Sequence, residues 1–114
     1  MPHNDNRVRL QHMLDAAEEI HRFLAGKTFA DLSADRQLQY ACLHCLSIIG
    51  EAANHLDPTF CESLSDVPWR PIIAMRHRLI HGYFEVELSF VWQTITVNIP
   101  QLISQLRTIL DLAD

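Results

Sequence analysis

The sequence is poor in the residues that interrupt regular structure. Its 114 residues include three glycines and five prolines, too few for a β-sandwich or barrel, which needs a turn about every ten residues. No apolar run approaches the roughly 18 residues that a membrane helix requires. The polar N-terminus lacks the apolar segment of a secretory signal. We therefore expect one helical domain over residues 1–114, the usual size for a single core, in the cytoplasm.

The sequence also lacks an overall positive charge and a set of paired cysteines. Its formal net charge of −5 argues against strong, non-specific binding to bulk nucleic acid. Cys42 and Cys45 form a Cys-x-x-Cys pattern with a histidine between them, but a structural zinc needs four ligands and no second pair follows. Both cysteines fall on the apolar face of a predicted helix, so we expect them to pack in the core of a protein from a reducing compartment.

What the sequence does contain is helical periodicity. Apolar residues recur every three or four positions in four segments, the spacing of amphipathic helices. The predicted helices span residues 5–25, from a cap at Ser33 to about Leu56, 68–81 and 88–113, with a loop or short helical turn over 57–67. Pro100 should kink the last helix near residues 96–99. The expected fold is all-α, an up-and-down bundle of four to five helices with short connections.

Gly50 stands inside the second predicted helix, where glycine costs about 1 kcal/mol relative to alanine. Such a glycine indicates close approach of another helix, from this chain or from a second copy. The adjacent Glu51 is either a solvated charge or the partner of a nearby arginine. His12, His21 and His55 have no spaced partner and are expected to be surface or boundary histidines without a role.

The basic residues are concentrated in one stretch. Residues 67–84 contain no acidic residue, and they include three arginines and two histidines within the range 70–81. Arg76 supplies a planar cation that suits phosphate, and His81 can accept and return a proton near neutral pH. Five positions separate them, about 140° around an ideal helix, so they diverge unless the chain leaves the helix at Gly82. Tyr83 then adds a hydroxyl to the same segment.

These residue types could cleave a phosphodiester without a metal. A histidine would deprotonate a ribose 2′-OH, and Arg76 would stabilise the charge that grows on the phosphorus oxygens. No carboxylate cluster is available for Mg²⁺, so no metal or other cofactor is expected. From spacing alone, the alternative is a basic, solvated helix end whose cations complement the helix dipole.

The pattern Arg-x4-His-x-Tyr at Arg76, His81 and Tyr83 resembles the signature of HepT-like toxins, a branch of the HEPN superfamily of helical ribonucleases. Residues 48–53 (Ile-Ile-Gly-Glu-Ala-Ala) are similar to the family's second-helix segment, and Pro-Trp at 68–69 and Val-Trp at 91–92 also fit in order and spacing. The resemblance thus covers nearly the whole chain. The residue after the motif arginine is often asparagine in the family and is His77 here.

The resemblance implies a homodimer that cleaves RNA, usually tRNA or mRNA, without metal. It also implies a partner, a minimal nucleotidyltransferase that acts as antitoxin by adding AMP to the motif tyrosine. Carried over to this sequence, Arg76 and His81 are catalytic and Tyr83 is the modified residue. At the position that departs from the family pattern, His77 is expected to supply a second acid or base or to alter the choice of substrate. A metal pair formed by His77 and His81 is the less favoured interpretation.

Two arginines of the basic stretch outside the motif, Arg70 and Arg78, are expected to contact RNA. Two alternatives remain open on the residues alone. One is a non-catalytic HEPN-type module that binds RNA or nucleotide and accompanies a nucleotidyltransferase. The other is a structural helical dimer whose basic patch is incidental.

Overall fold

The computed structural model describes the backbone of residues 2–81 and 88–113 and the side chains of residues 5–81 and 88–111. Within these ranges all regular structure is helical, as predicted. The elements in chain order are α1 (Pro2–Phe23), α2 (Phe29–Ala34), α3 (Arg36–Asn54), α4 (Pro58–Glu62), α5 (Trp69–His81), α6 (Leu88–Gln93), a π-helical segment (Thr94–Asn98) and α7 (Ile99–Ala113). None of these helices is long and apolar enough to cross a membrane.

The start of the second predicted helix is wrong, because two helices with separate caps occupy this region. The hydroxyl of Thr28 accepts from the backbone N–H of Asp31 (3.1 Å), and the Asp31 carboxylate accepts from the Thr28 N–H (2.8 Å). This reciprocal pair is a capping box and begins α2. Asp35 then begins α3 by accepting from the Leu38 N–H at 3.0 Å. Ser33, the predicted cap, instead lies near the end of α2.

The core lies where α3 packs between its neighbours. Helix α1 packs against α3 and α7, and α3 packs against α5. Cys42 and Cys45 are buried among the apolar side chains of this core, which confirms the prediction that they pack there. Fully burying one leucine or isoleucine side chain stabilises a fold by about 1.5–3 kcal/mol. The residues that contribute most by size are Leu10, Met13, Ile20, Leu32, Leu46, Ile49 and Leu106.

The last predicted helix is interrupted where Pro100 requires it. Proline has no N–H to donate to the carbonyl four residues earlier, and the π-helical segment ends two residues before it. There the N–H of Ile99 donates to the carbonyl of Thr94, five residues back, and the Thr94 hydroxyl donates to the carbonyl of Phe90 at 2.9 Å. The helix is thus altered over the residues where a kink was predicted, and the form it takes is a widened turn of the backbone.

Candidate functional site

Helix α5 carries the basic stretch along its outer side. One face of the helix is anchored in the core by apolar residues three or four positions apart, and these are Trp69, Ile72, Met75 and Leu79. The side chain of Arg76 is 33% exposed, whereas His77, Arg78 and His81 are exposed. The core face therefore fixes which way each basic side chain points.

Arg76 packs directly on α3 at Gly50. A Cβ atom built at residue 50 would overlap the Cβ of Arg76 and would lie 3.1 Å from its Cγ and Cδ. The guanidinium continues along α3 and lies 2.6 Å from the Glu51 carboxylate, whose side chain is 48% exposed. The predicted close approach at Gly50 is confirmed and comes from a helix of the same chain. Of the two interpretations of Glu51, the ion pair with an arginine is correct.

One donor of Arg76 remains unsatisfied in this arrangement. Its Nε is buried and has no hydrogen-bond partner among the described residues. A buried donor without a partner costs about 1–3 kcal/mol. The contact with Glu51 therefore satisfies the guanidinium only in part.

His77 and His81 form a separate pair on α5. Their ring centroids are 4.4 Å apart and the planes are inclined by 48°, as expected for positions i and i+4 of a helix. The helix continues through His81, and within residues 5–81 no hydrogen bond or ion pair joins His81 to Arg76. The structure thus does not bring the predicted catalytic pair together within one chain. Gly82 and Tyr83, which the prediction also used, lie outside the described residues.

The two arginines expected to contact RNA lie in different surroundings. Arg70 is exposed in the first turn of α5. The guanidinium carbon of Arg78 lies 3.9 Å from the centre of the Phe90 ring of α6. This cation–π contact holds the side chain of Arg78 against the neighbouring helix. Arg78 is also two positions, about 200°, from Arg76 around the helix, so the two arginines face opposite sides.

An open cavity of about 540 Å³ borders Arg76 on the side of α1 and α3. We call it the α1–α3–α5 groove, after the helices that form it. Its lining combines basic, hydroxyl and small apolar side chains with a single acid, and consists of Arg9, His12, His44, Ser47, Ile48, Glu51, Ala52, His55 and Arg76. The motif arginine is therefore also a wall of this groove.

Sequence reasoning missed this groove. His12 and His55 are exposed as predicted, but they were expected to have no role. His44 was considered only as part of the Cys-x-x-Cys pattern, and Arg9 and Ser47 were not singled out. A signal was present, since positions 44, 47, 48, 51 and 55 follow the three-and-four spacing of one helix face. That face is largely polar, whereas the opposite face of α3 is apolar.

The buried cysteines are chemically quiet. Burial raises the pKa of the Cys42 thiol to about 11. Burial, together with the nearby Glu19 carboxylate, raises the pKa of Cys45 to about 12. Both thiols are therefore protonated at neutral pH, whereas nucleophilic or metal-binding chemistry needs a thiolate. In the parts of the chain that are described, no three His, Cys, Asp or Glu side chains are grouped as a metal site would need.

Comparison with known proteins identifies relatives over most of this chain. The family model described as ribonuclease HepT-like matches residues 13–109. A protein of Caldanaerobacter subterraneus, provisionally named an RNase, is 40% identical over 104 residues, covering 91% of this chain and 93% of its own. A probable ribonuclease HepT of Thermococcus cleftensis is 36% identical over 93 residues, which cover 82% of this chain and 84% of the relative. No solved structure matches significantly.

Proposed function

The chain belongs to the HepT-like ribonuclease family, and from this premise we propose that it is a metal-independent endoribonuclease whose catalytic residues are Arg76 and His81. The observation that carries the proposal is the position of Arg76. Its side chain is fixed on α3 by Gly50 and Glu51 and borders an open groove, on the helix that also presents His81. A module that only accompanied a nucleotidyltransferase would not need both the arginine and the histidine.

In the proposed reaction, the neutral imidazole of His81 removes the proton of a ribose 2′-OH. The 2′ oxygen attacks the adjacent phosphorus and the bond to the 5′ oxygen breaks, which leaves a cyclic phosphate and a 5′-hydroxyl. Arg76 stabilises the negative charge on the non-bridging oxygens as it grows. His77, which lies against His81 on the same helix, gives a proton to the departing 5′ oxygen.

We propose that the active site is built by two chains. Arg76 and His81 lie about 140° apart around α5, and Arg76 is held toward α3 while His81 lies against His77. In a two-fold dimer each residue of one protomer can face the other residue of the second protomer. His81 of the partner subunit would then complete the site at Arg76.

Subunit mixing tests this arrangement. Arg76→Ala and His81→Ala homodimers should both be inactive, because each lacks one member of every site. After the two are mixed and allowed to exchange, half of the dimers are mixed and each retains one intact site, so activity returns to roughly a quarter of wild type. If activity does not return although mass spectrometry shows mixed dimers, each site belongs to a single chain.

The catalytic assignment has a direct test. His81→Ala and Arg76→Ala should each reduce the cleavage of a single-stranded RNA by at least about a hundredfold, while circular dichroism shows unchanged helix content. His21→Ala, at an exposed position in the last turn of α1, is the matched control and should retain activity. EDTA should leave the rate unchanged. Cleavage by the His81 or the Arg76 variant at the wild-type rate would overturn the proposal.

We further propose that the protein is the toxin of a toxin–antitoxin pair and acts in the cytoplasm on tRNA or mRNA. Its antitoxin would be a minimal nucleotidyltransferase that transfers AMP from ATP to the hydroxyl of Tyr83 and releases pyrophosphate. A bulky anionic group two residues from His81 would block the site and repel RNA phosphates. Intact-mass analysis after incubation with the nucleotidyltransferase and ATP should show the mass of AMP on wild type and none on Tyr83→Phe.

A further inference from the structure

The α1–α3–α5 groove concentrates positive charge in an acidic protein. The chain has a net charge of −5, yet two arginines and three histidines line this groove with one acid, Glu51. Arg9 and Arg76 are partly buried in its walls, and His12, His44 and His55 are exposed along it. The surroundings of the groove therefore differ in charge from the chain as a whole.

The shape of the groove fits an extended ligand. His44 lies on α3 and His55 caps its C-terminal end. The eleven positions between them span about 16 Å along the helix axis, so polar side chains are available over more than the length of one phosphate. Ile48 and Ala52 provide small apolar surfaces between them. Ser47 adds a hydroxyl that can donate or accept. Such a lining can bind anionic groups at several points and accommodate apolar parts of the ligand between them.

We propose that the α1–α3–α5 groove binds the sugar–phosphate backbone of a single-stranded stretch of the RNA substrate and leads it to Arg76. This inference rests on the proposed function for the identity of the ligand. Arg9 supplies a charge on α1 that neutralises one phosphate, and His12, His44 and Ser47 donate hydrogen bonds to phosphate or ribose oxygens. A flexible single strand can follow such a groove, as in other proteins that track the backbone.

Glu51 limits how tightly the groove binds an anion. Its carboxylate holds the guanidinium of Arg76 at 2.6 Å, while its backbone carbonyl is 2.9 Å from Nδ1 of His55. A phosphate that enters the groove competes with this carboxylate for Arg76. Glu51 thus keeps the arginine in place in the free protein and lowers the affinity for isolated anions.

Binding can be measured without cleavage. The test uses full-length His81→Ala protein, a fluorescein-labelled single-stranded RNA oligonucleotide and fluorescence anisotropy. Adding Arg9→Gln and His44→Gln should weaken binding by about tenfold or more and reduce the slope of log affinity against log salt by about 1. Adding Arg22→Gln and His21→Gln instead makes the same chemical changes at exposed positions of α1 outside the groove, and affinity should change by less than about twofold.

The molecular mass of each variant decides between RNA and a second protein chain as the occupant. Weaker RNA binding with an unchanged mass in analytical ultracentrifugation supports the proposal. Unchanged RNA affinity overturns it, and so does a loss of affinity that accompanies a lower mass, because the groove is then a contact between copies. Failure of the catalytic proposal looks different. In that case His81→Ala and Arg76→Ala cleave RNA as wild type does, while the anisotropy result stands by itself.

Discussion

Gly50 determines where Arg76 lies. The absence of a side chain at residue 50 lets the Cβ, Cγ and Cδ of Arg76 lie on the backbone of α3, and this contact directs the guanidinium to Glu51 and into the α1–α3–α5 groove. A glycine in a helix interior is otherwise unfavourable by about 1 kcal/mol. Helix α3 accepts this cost at the point where the motif arginine of α5 packs against it.

Gly50→Ala should therefore separate α3 from α5. The new methyl group overlaps the stem of Arg76, and overpacking of this kind costs about 1–3 kcal/mol, more than the gain in helix propensity. We expect a lower free energy of unfolding in urea and a loss of RNA cleavage, because the guanidinium moves. The control is Gly26→Ala, at a positive φ of 74° with open space around it. It should also lower stability, through backbone strain, but should leave cleavage intact. Equal cleavage by both variants would contradict the role given to Gly50.

Glu51→Gln should strengthen RNA binding. The ion pair with Arg76 is partly exposed, so its removal should change the free energy of unfolding by less than about 1 kcal/mol. Loss of the one acid that lines the groove should raise RNA affinity severalfold in the anisotropy assay. Glu62→Gln makes the same charge change at an exposed position of α4 and should have little effect. Weaker binding by Glu51→Gln would mean that the carboxylate is needed to orient Arg76 for RNA.

The buried cysteines should react slowly with thiol reagents in the folded protein. Because the pKa values of Cys42 and Cys45 are raised to about 11 and about 12, Ellman's reagent at about pH 8 should leave both unmodified in the folded protein. Cys61 is partly exposed and should react first. All three should react in urea. Rapid reaction of three thiols without denaturant would show that the core is not packed as described.

The same pKa shifts predict how stability depends on pH. The folded values of Cys42 and Cys45 lie above the unfolded value near 9, so the folded state retains these protons more tightly. The resulting stabilisation is complete below about pH 9 and is lost as the pH rises toward 11 and 12. Urea titrations should give a lower free energy of unfolding at about pH 10 than at about pH 8. Cys45→Ala should reduce that difference; an unchanged difference would assign it to other groups.

Asp35, and not Ser33, should act as the cap of α3. Asp35→Ala removes the carboxylate that accepts from the Leu38 N–H and should cost about 1 kcal/mol, the usual value of an N-cap. Ser33→Ala should be nearly neutral. Thermal denaturation followed by circular dichroism can compare the two. A larger effect at Ser33 would restore the boundary that the sequence pattern predicted.

Periodicity predicted the four long helical segments because their apolar faces are regular and the core lies on one side of each. The beginning of α3 was harder to predict, because Thr28, Ser33 and Asp35 are all residues that cap helices. In the structure Thr28 and Asp35 cap two helices, and Leu32 between them is buried in the core. Local sequence alone does not contain that information.

The candidate site, too, was predicted from the sequence only in part. Gly50 indicated the close approach of another helix, because a glycine in a helix interior is unfavourable unless packing requires it. Glu51 was a possible partner for an arginine because it is adjacent to Gly50. The sequence did not show that Arg76 is the residue that contacts both Gly50 and Glu51, because Arg76 lies 26 positions after Gly50 in the chain. The groove needed still more, since Arg9 and His12 come from α1 and meet α3 only in the folded chain. Spacing finds residues on one helix, whereas this groove depends on how three helices pack.

The π-helical segment before Pro100 has a consequence for how this chain can vary. Val91, Ile95, Ile99 and Ile103 are all buried although each step between them is four residues; on a regular α-helix three such steps would turn the side chains through about 120°. The widened turn absorbs this rotation. Deletion of one residue there would turn the whole of α7 by about 100° relative to α6 and remove Leu106 from the core. Side chains in this segment can therefore be exchanged, but its length must be kept.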